Sequence, residues 1–152
     1  MPNIKTILSL IFSSTILFFS LFVYAKPMLS PTKEEAYQSQ LIVIAEYIGY
    51  ISDNQISYFH GPIAQYRIIQ VLKGVSRSMD LSVRYDFHDG SACVEEEGWK
   101  FSEELMPDIG SKWILFLGED ASNYWTTYRG DFGRWIANPE NLKQVEEGLE
   151  EN

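Results

Sequence analysis

The sequence predicts an all-β fold: a small barrel or curled sheet of five to six short strands, with a short helix at each end. Three observations carry this expectation. Residues 80–88 alternate between apolar and polar side chains with a period of two, the repeat of a strand with one wet face. Residues 41–51 and 112–118 are dense apolar runs of strand length. Turn-forming clusters, including Gly61 with Pro62 and Lys73 with Gly74, separate the runs, as expected for many short strands rather than a few long helices. The chain has 152 residues, enough for one domain and too few for two ordinary ones.

The first 25 residues are expected to be a leader. One positive charge, Lys5, precedes a nearly all-apolar stretch from Ile7 to Tyr24, and Val23, Tyr24 and Ala25 place small residues at the positions that a signal peptidase reads. Cleavage leaves a single domain over 26–152 in a secreted or periplasmic setting. The apolar run is also long enough to remain as an N-terminal membrane anchor, in which case the domain still faces a non-cytoplasmic space. After cleavage no stable membrane span remains.

The elements follow in order. Ser30 is suited to cap a helix and Pro31 to open it, with Ala36, Tyr37 and Gln40 as a weak inward stripe. In 41–51 the odd positions Leu41, Val43, Ala45, Tyr47, Gly49 and Ile51 form the core face, and Gly49 marks a bulge. A second strand spans 63–73, where the apolar residues slip out of phase near Gln70, the mark of another bulge. Ser52, Asp53 and Asn54 help to form the turn between these two strands. In 80–88 the side chains of Leu81, Val83, Tyr85 and Phe87 face the core, and Ser82, Arg84, Asp86 and His88 face water.

An irregular stretch over 89–110 leads to the run at 112–118, whose continuous apolar character implies a strand buried on both faces. Two more short strands are expected at 123–128 and 132–137, joined through Arg129, Gly130 and Asp131 in a hairpin turn. A C-terminal helix over 139–149 is capped by Asn138, opened by Pro139 and striped by Leu142, Val145 and Leu149.

Charge excludes one class of partner. The chain carries 12 basic and 21 acidic residues, and leader removal takes Lys5 with it. An acidic surface is unsuited to the nucleic-acid backbone, so no nucleic acid is expected. The only cysteine, Cys93, excludes an internal disulfide and any multi-cysteine metal centre. Its neighbours Ala92 and Val94 favour a buried, inert thiol.

Four groupings bear on chemistry. Asp86 and His88 share one strand face about 7 Å apart, and with Asp89 and Cys93 they supply imidazole, carboxylate and thiolate, the ligand types of zinc or copper. Their spacing matches no standard site, so Asp86, His88 and Cys93 are only a candidate metal set, and no cofactor is expected. Cys93 with His60 or His88 is the best nucleophilic pair, but the glutamates at 95–97 would raise a thiol pKa. Those glutamates and the pair Glu103 and Glu104 read as a solvated face. The tripeptides at 129–131 and 131–133 spell integrin-ligand and kinase signatures, yet the other kinase motifs are missing and the turn explains the first.

The aromatic series has more substance. Trp99, Trp113, Tyr124, Trp125, Tyr128 and Trp135 crowd the second half of the chain. Trp125, Tyr128 and Trp135, with Arg129 and Arg134 beside them, are the residue types of interface hot spots and of cation–π patches. Ordinary barrel packing uses the same aromatics.

The Leu41–Gly49 strand, the pattern Tyr66, Ile68, Val71, Leu72, Lys73 and Gly74, the third alternating strand, the long loop and the segment Gly110 to Leu117 together resemble bacterial secreted domains of the tissue-inhibitor-of-metalloproteinases-like superfamily, related to netrin C-terminal domains. The likeness spans residues 38–120. It implies a five-stranded OB-like barrel with flanking helices and a habit of binding macromolecules through loops. It does not imply inhibition. The animal inhibitors begin with a zinc-chelating cysteine and are cross-linked by disulfides, whereas this chain begins at Lys26 after cleavage and has Cys93 alone.

The expectation is therefore a non-catalytic binding module for a protein or extracellular ligand, not an enzyme, using the 86–106 loop and the segment from Trp125 to Trp135. The alternatives are a small metal- or Cys/His-dependent hydrolase centred on Asp86, His88 and Cys93, and a protease inhibitor by analogy of fold.

Overall fold

A computed structural model describes residues 33–51, 56–88, 93–119 and 124–151. Helix α1 covers Lys33–Tyr37, followed by β1 (Leu41–Ile51), β2 (Ile63–Lys73), β3 (Asp80–Arg84) and β4 (Lys112–Glu119). Then come β5 (Trp125–Thr127), a 3-10 turn (Gly130–Gly133), β6 (Arg134–Ile136) and α2 (Pro139–Glu150). A second 3-10 turn, Glu103–Leu105, interrupts the long β3–β4 connection. The leader, the cap read at Ser30 and Pro31, the turn residues 52–54, and Asp89 lie outside the described residues. Among the described residues no helix is long and apolar enough to cross a membrane.

The strands close in the order β1-β2-β3-β5-β4 and back to β1, with β6 added on β4. This is an all-β, OB-like barrel of five strands with one extra strand and two short helices. β3 and β5 run parallel, and the other pairs are antiparallel. β1 is the central strand: from Ile42 to Glu46 it is paired to β2 on one edge and β4 on the other.

Alternation along β1 divides two cores. Leu41, Val43, Ala45 and Tyr47 point into the barrel with Tyr66, Leu81, Val83, Leu115 and Leu117. Ile42 points outward with Ile114 and Phe116, where α1 and α2 cover them with Ala36, Tyr37 and Val145. That is why 112–118 is apolar without alternation: Leu115 and Leu117 face the barrel, Ile114 and Phe116 the helices. Each fully buried large side chain contributes about 1.5–3 kcal/mol.

Both expected bulges exist. The β1–β2 register slips between Tyr47 and Gly49, and again where Ile44 pairs with Gln70 and Ala45 with Ile68. Asn138 caps α2 by accepting from the Asn141 amide at 2.8 Å. Leu142 and Leu149 pack beside Val145 on the outer core.

Three expectations are corrected. β3 ends at Arg84 rather than continuing to residue 88. The inward order of Tyr85 and Phe87 nonetheless persists, because the Tyr85 amide donates to the Pro62 carbonyl and Phe87 packs on the barrel core. β5 and β6 do not form a hairpin. Both pair with the same edge of β4, β5 at Leu117–Glu119 and β6 at Trp113–Leu115, with the 3-10 turn stepping between them. Cys93 is exposed, and so is its apolar neighbour Val94, so an apolar neighbour does not draw this thiol into the core.

Candidate functional site

An open groove of about 560 Å³ lies between α1, α2 and β6. Its floor and one wall are aromatic, from Tyr128, Phe132 and Trp135, with Ala36 and Ile136 beside them. The opposite wall is α2, which presents Asn138, Asn141 and Gln144, and Lys33 stands at one side.

The sequence builds each part locally. The Trp135 ring meets Phe116 edge-on at 5.0 Å, and its Nε1 donates to the Phe132 carbonyl at 3.0 Å, which fixes the ring. Lys33 Nζ lies 5.8 Å from the Trp135 ring centroid, within cation–π range. The Tyr128 amide donates to the Phe116 carbonyl at 2.8 Å, and its hydroxyl to Glu35 Oε2 at 2.6 Å. Desolvation, then the bond to Glu35, raises the Tyr128 pKa. Asn141 Nδ2 donates to the Ile136 carbonyl at 2.8 Å, tying α2 to the end of β6.

The five residues expected to form one aromatic and basic patch are divided by the sheet. Tyr128 and Trp135 line the groove on the outer face. Trp125 packs on the barrel core instead. Arg134 places its guanidinium 3.8 Å from the Tyr85 ring centroid and donates to the Asp86 carbonyl at 2.7 Å. Arg129 is exposed and takes the left-handed backbone conformation, φ 42° and ψ 54°. Neither arginine stacks on a tryptophan, because β5 and β6 are out of phase across the 3-10 turn. The sequence gives no site role to Phe132, Ile136, Asn141 or Gln144, and to Asn138 only that of a helix cap. The available signal was the spacing of Asn138, Asn141 and Gln144 along one flank of an amphipathic helix.

Asp86 and His88 follow β3 and lie against the 3-10 turn, where the Asp131 amide donates to the His88 carbonyl at 3.3 Å. His88 stacks on Tyr58 at 5.1 Å and 29° and meets Phe59 edge-on at 5.5 Å. Trp99 and Phe87 extend this aromatic cluster toward Phe101. The Asp86 carboxyl is raised above its ordinary pKa by desolvation, against the opposing pull of His88, Arg134, Arg84 and His60. His60 Nδ1 is 3.3 Å from Ser57 Oγ. Among the described residues no three His, Cys, Asp or Glu side chains gather closely enough to hold a metal ion, and this includes Asp86, His88 and Cys93.

The fold and site together define an OB-like barrel that carries an aromatic groove on its helical side. No family model matches the chain, and no curated protein matches it in sequence.

Proposed function

We propose that the chain is a non-catalytic binding module, exported through its leader to a secreted or periplasmic location, whose groove holds an extended apolar segment of a partner protein. The observation that carries this reading is the meeting of three rings, Tyr128, Phe132 and Trp135, with three side-chain amides in one groove. Its volume lies within the ligand-site range of roughly 300–1,000 Å³. Aromatic rings receive apolar side chains, and the Gln144 amide, with the amide atoms of Asn138 and Asn141 that are not used to cap α2 and tie it to β6, offers donors and acceptors to an extended peptide backbone. The resemblance to netrin-like domains supports the same reading through their binding habit, with the groove rather than a zinc-chelating terminus as the recognition element.

Selection from an immobilised library of random dodecapeptides tests it. The expected result is a family of apolar peptides whose binding falls at least tenfold in Phe132→Asp and Ile136→Asp, both at exposed positions. Failure to enrich peptides, or enriched peptides that bind both variants as well as the parent, would overturn it.

A further inference from the structure

We infer, resting on the groove as a peptide site, that the partner segment joins the sheet as an added strand along the open edge of β6. β6 pairs with β4 on one side, and among the described residues no strand lies along its other side.

The ladder fixes which backbone groups face outward. The Ala137 amide donates to the Lys112 carbonyl at 3.0 Å, in register with Trp135 opposite Ile114. Ala137 and Trp135 therefore aim their backbone groups at β4, and the alternate residues Arg134 and Ile136 aim theirs away from it. Two of the outward groups are already engaged. The Arg134 amide donates to the Asp131 carbonyl in the 3-10 turn. The Ile136 carbonyl accepts from the Asn138 amide and from Asn141 Nδ2, both at 2.8 Å. That second bond also places the edge: Asn141 and Ile136 both line the groove, so the outward side of β6 faces into it. The Arg134 carbonyl and the Ile136 amide remain for a ligand, and Ile136 is 58% exposed.

This acceptor and this donor have the spacing of a sheet edge. One residue of a parallel strand satisfies both, as do two alternate residues of an antiparallel strand. An extended segment presents such groups at every second residue, whereas a helix uses its own internally, so the edge selects a strand over a helix. Side chains of an added strand alternate between its two faces. Those on the Trp135 face enter the ring-lined groove, and those between them point away. The ligand class is thus an extended peptide with apolar side chains at alternate positions and no proline at the residue that donates to Arg134. With only three residues in β6, the addition is short, and the edge is a poor template for open-ended stacking of copies.

Two measurements on the apolar peptides selected above test this. Ile136→Pro deletes the outward N–H at a position where the ladder to β4 does not use it. Ile136→Ala removes the side chain and keeps the N–H. The proline variant is expected to bind about tenfold or more weakly than the alanine variant. A scan of backbone N-methyl groups along the peptide, bound to the parent protein, reads the same contact from the other side. Methylation of one amide should cost about tenfold or more, and of the amides on either side of it less than about threefold. Circular dichroism checks both variants, and the peptide scan decides if proline disturbs the fold.

Strand addition is overturned if a folded Ile136→Pro binds as well as Ile136→Ala, or if no single N-methyl position stands out. The groove reading then survives on the losses in Phe132→Asp and Ile136→Asp. Equal losses at several successive amides would overturn it in favour of a helical ligand. Dimerisation of the parent that Ile136→Pro abolishes, with peptide binding unchanged, would assign the edge to a second copy of this chain instead. If no peptide is enriched at all, the groove reading and strand addition fall together.

Discussion

The Arg134 guanidinium lies 3.8 Å from the Tyr85 ring centroid and forms one strap across the end of the barrel. The same side chain donates from Nη1 to the Asp86 carbonyl at 2.7 Å. Arg134 begins β6, while Tyr85 and Asp86 follow β3. The strap thus ties the extra strand to the start of the long loop, where ladder pairing has stopped. The loop is fastened to the 3-10 turn a second time, by the Asp131 amide donating to the His88 carbonyl at 3.3 Å.

Arg134→Ala is expected to destabilise the fold by about 2–3 kcal/mol, since it removes a partly desolvated cation–π contact and a charge-assisted hydrogen bond. Arg134→Lys should recover less than half of that, because an ammonium lacks the planar fork and face that satisfy both contacts at once. Urea unfolding of the three proteins measures both steps. Full recovery by lysine would show that charge alone holds the loop.

Asp86 gives a pH dependence of definite sign. Burial raises its folded-state pKa above the ordinary carboxylate value, even though His88, Arg134, Arg84 and His60 all pull it down. A raised folded pKa means that the native state binds the proton more tightly than the unfolded chain. The stabilising contribution of the protonated group is complete below the unfolded pKa and is lost as pH rises through the folded one. Asp86→Asn should therefore melt higher than the parent at pH 7, and the gap should shrink on acidification. Melting temperatures of the pair across pH 3 to 8 check this, and a gap that widens in acid would contradict it.

Gly130 is held by its surroundings. Its φ is +61°, and a Cβ at this position would overlap the His88 carbonyl oxygen. Gly130→Ala is expected to cost at least about 1 kcal/mol, from left-handed strain together with displacement of the loop. The site also loosens the turn that carries Phe132, so apolar-peptide binding at the groove should weaken alongside stability. Unfolding and peptide titration on the same variant separate the two effects.

The parts of this fold that were legible in the sequence are those governed by one local repeat. Leu41, Val43, Ala45 and Tyr47 reveal the barrel face because a strand alternates strictly, and Asn138 with Pro139 reveals a helix start because capping is a contact between near neighbours. The groove was legible only in half. Tyr128 and Trp135 were marked by residue type, but their neighbours Phe132 and Ile136 gain a role only when α2 docks across β6. Residue type and nearness to Arg129 and Arg134 group Trp125 with Trp135 in the sequence, but a 3-10 turn at 130–133 separates β5 from β6, and the two rings end on opposite faces of the sheet. The apolar neighbours of Cys93 suggest burial, yet outside a regular element they carry no repeat that fixes which way a side chain faces, and both Cys93 and Val94 are exposed.

Tyr66 holds the clearest stability reserve in the barrel. It is 1% exposed, its ring meets Tyr47 edge-on at 5.4 Å, and among the described residues its hydroxyl has no hydrogen-bond partner. An orphaned buried hydroxyl costs about 1–3 kcal/mol. Tyr66→Phe keeps the ring and deletes the orphan, so it should raise stability by about 1 kcal/mol, whereas Tyr66→Ala should lose about 3–5 kcal/mol through the cavity left behind. Alkaline pH provides an independent reading. Burial pushes the Tyr66 pKa far above its ordinary value, and that of Tyr47 up to about 12. Both phenols are held neutral in the native state and ionise first in the unfolded chain, so the stability they confer is complete below the ordinary tyrosine pKa and is lost as pH rises above it. Tyr66→Phe removes one of these groups, and its unfolding midpoint should decline less steeply above pH 10 than that of the parent. Identical alkaline slopes in the two proteins would mean that the Tyr66 phenol ionises as readily in the native state as in the unfolded chain, against its burial.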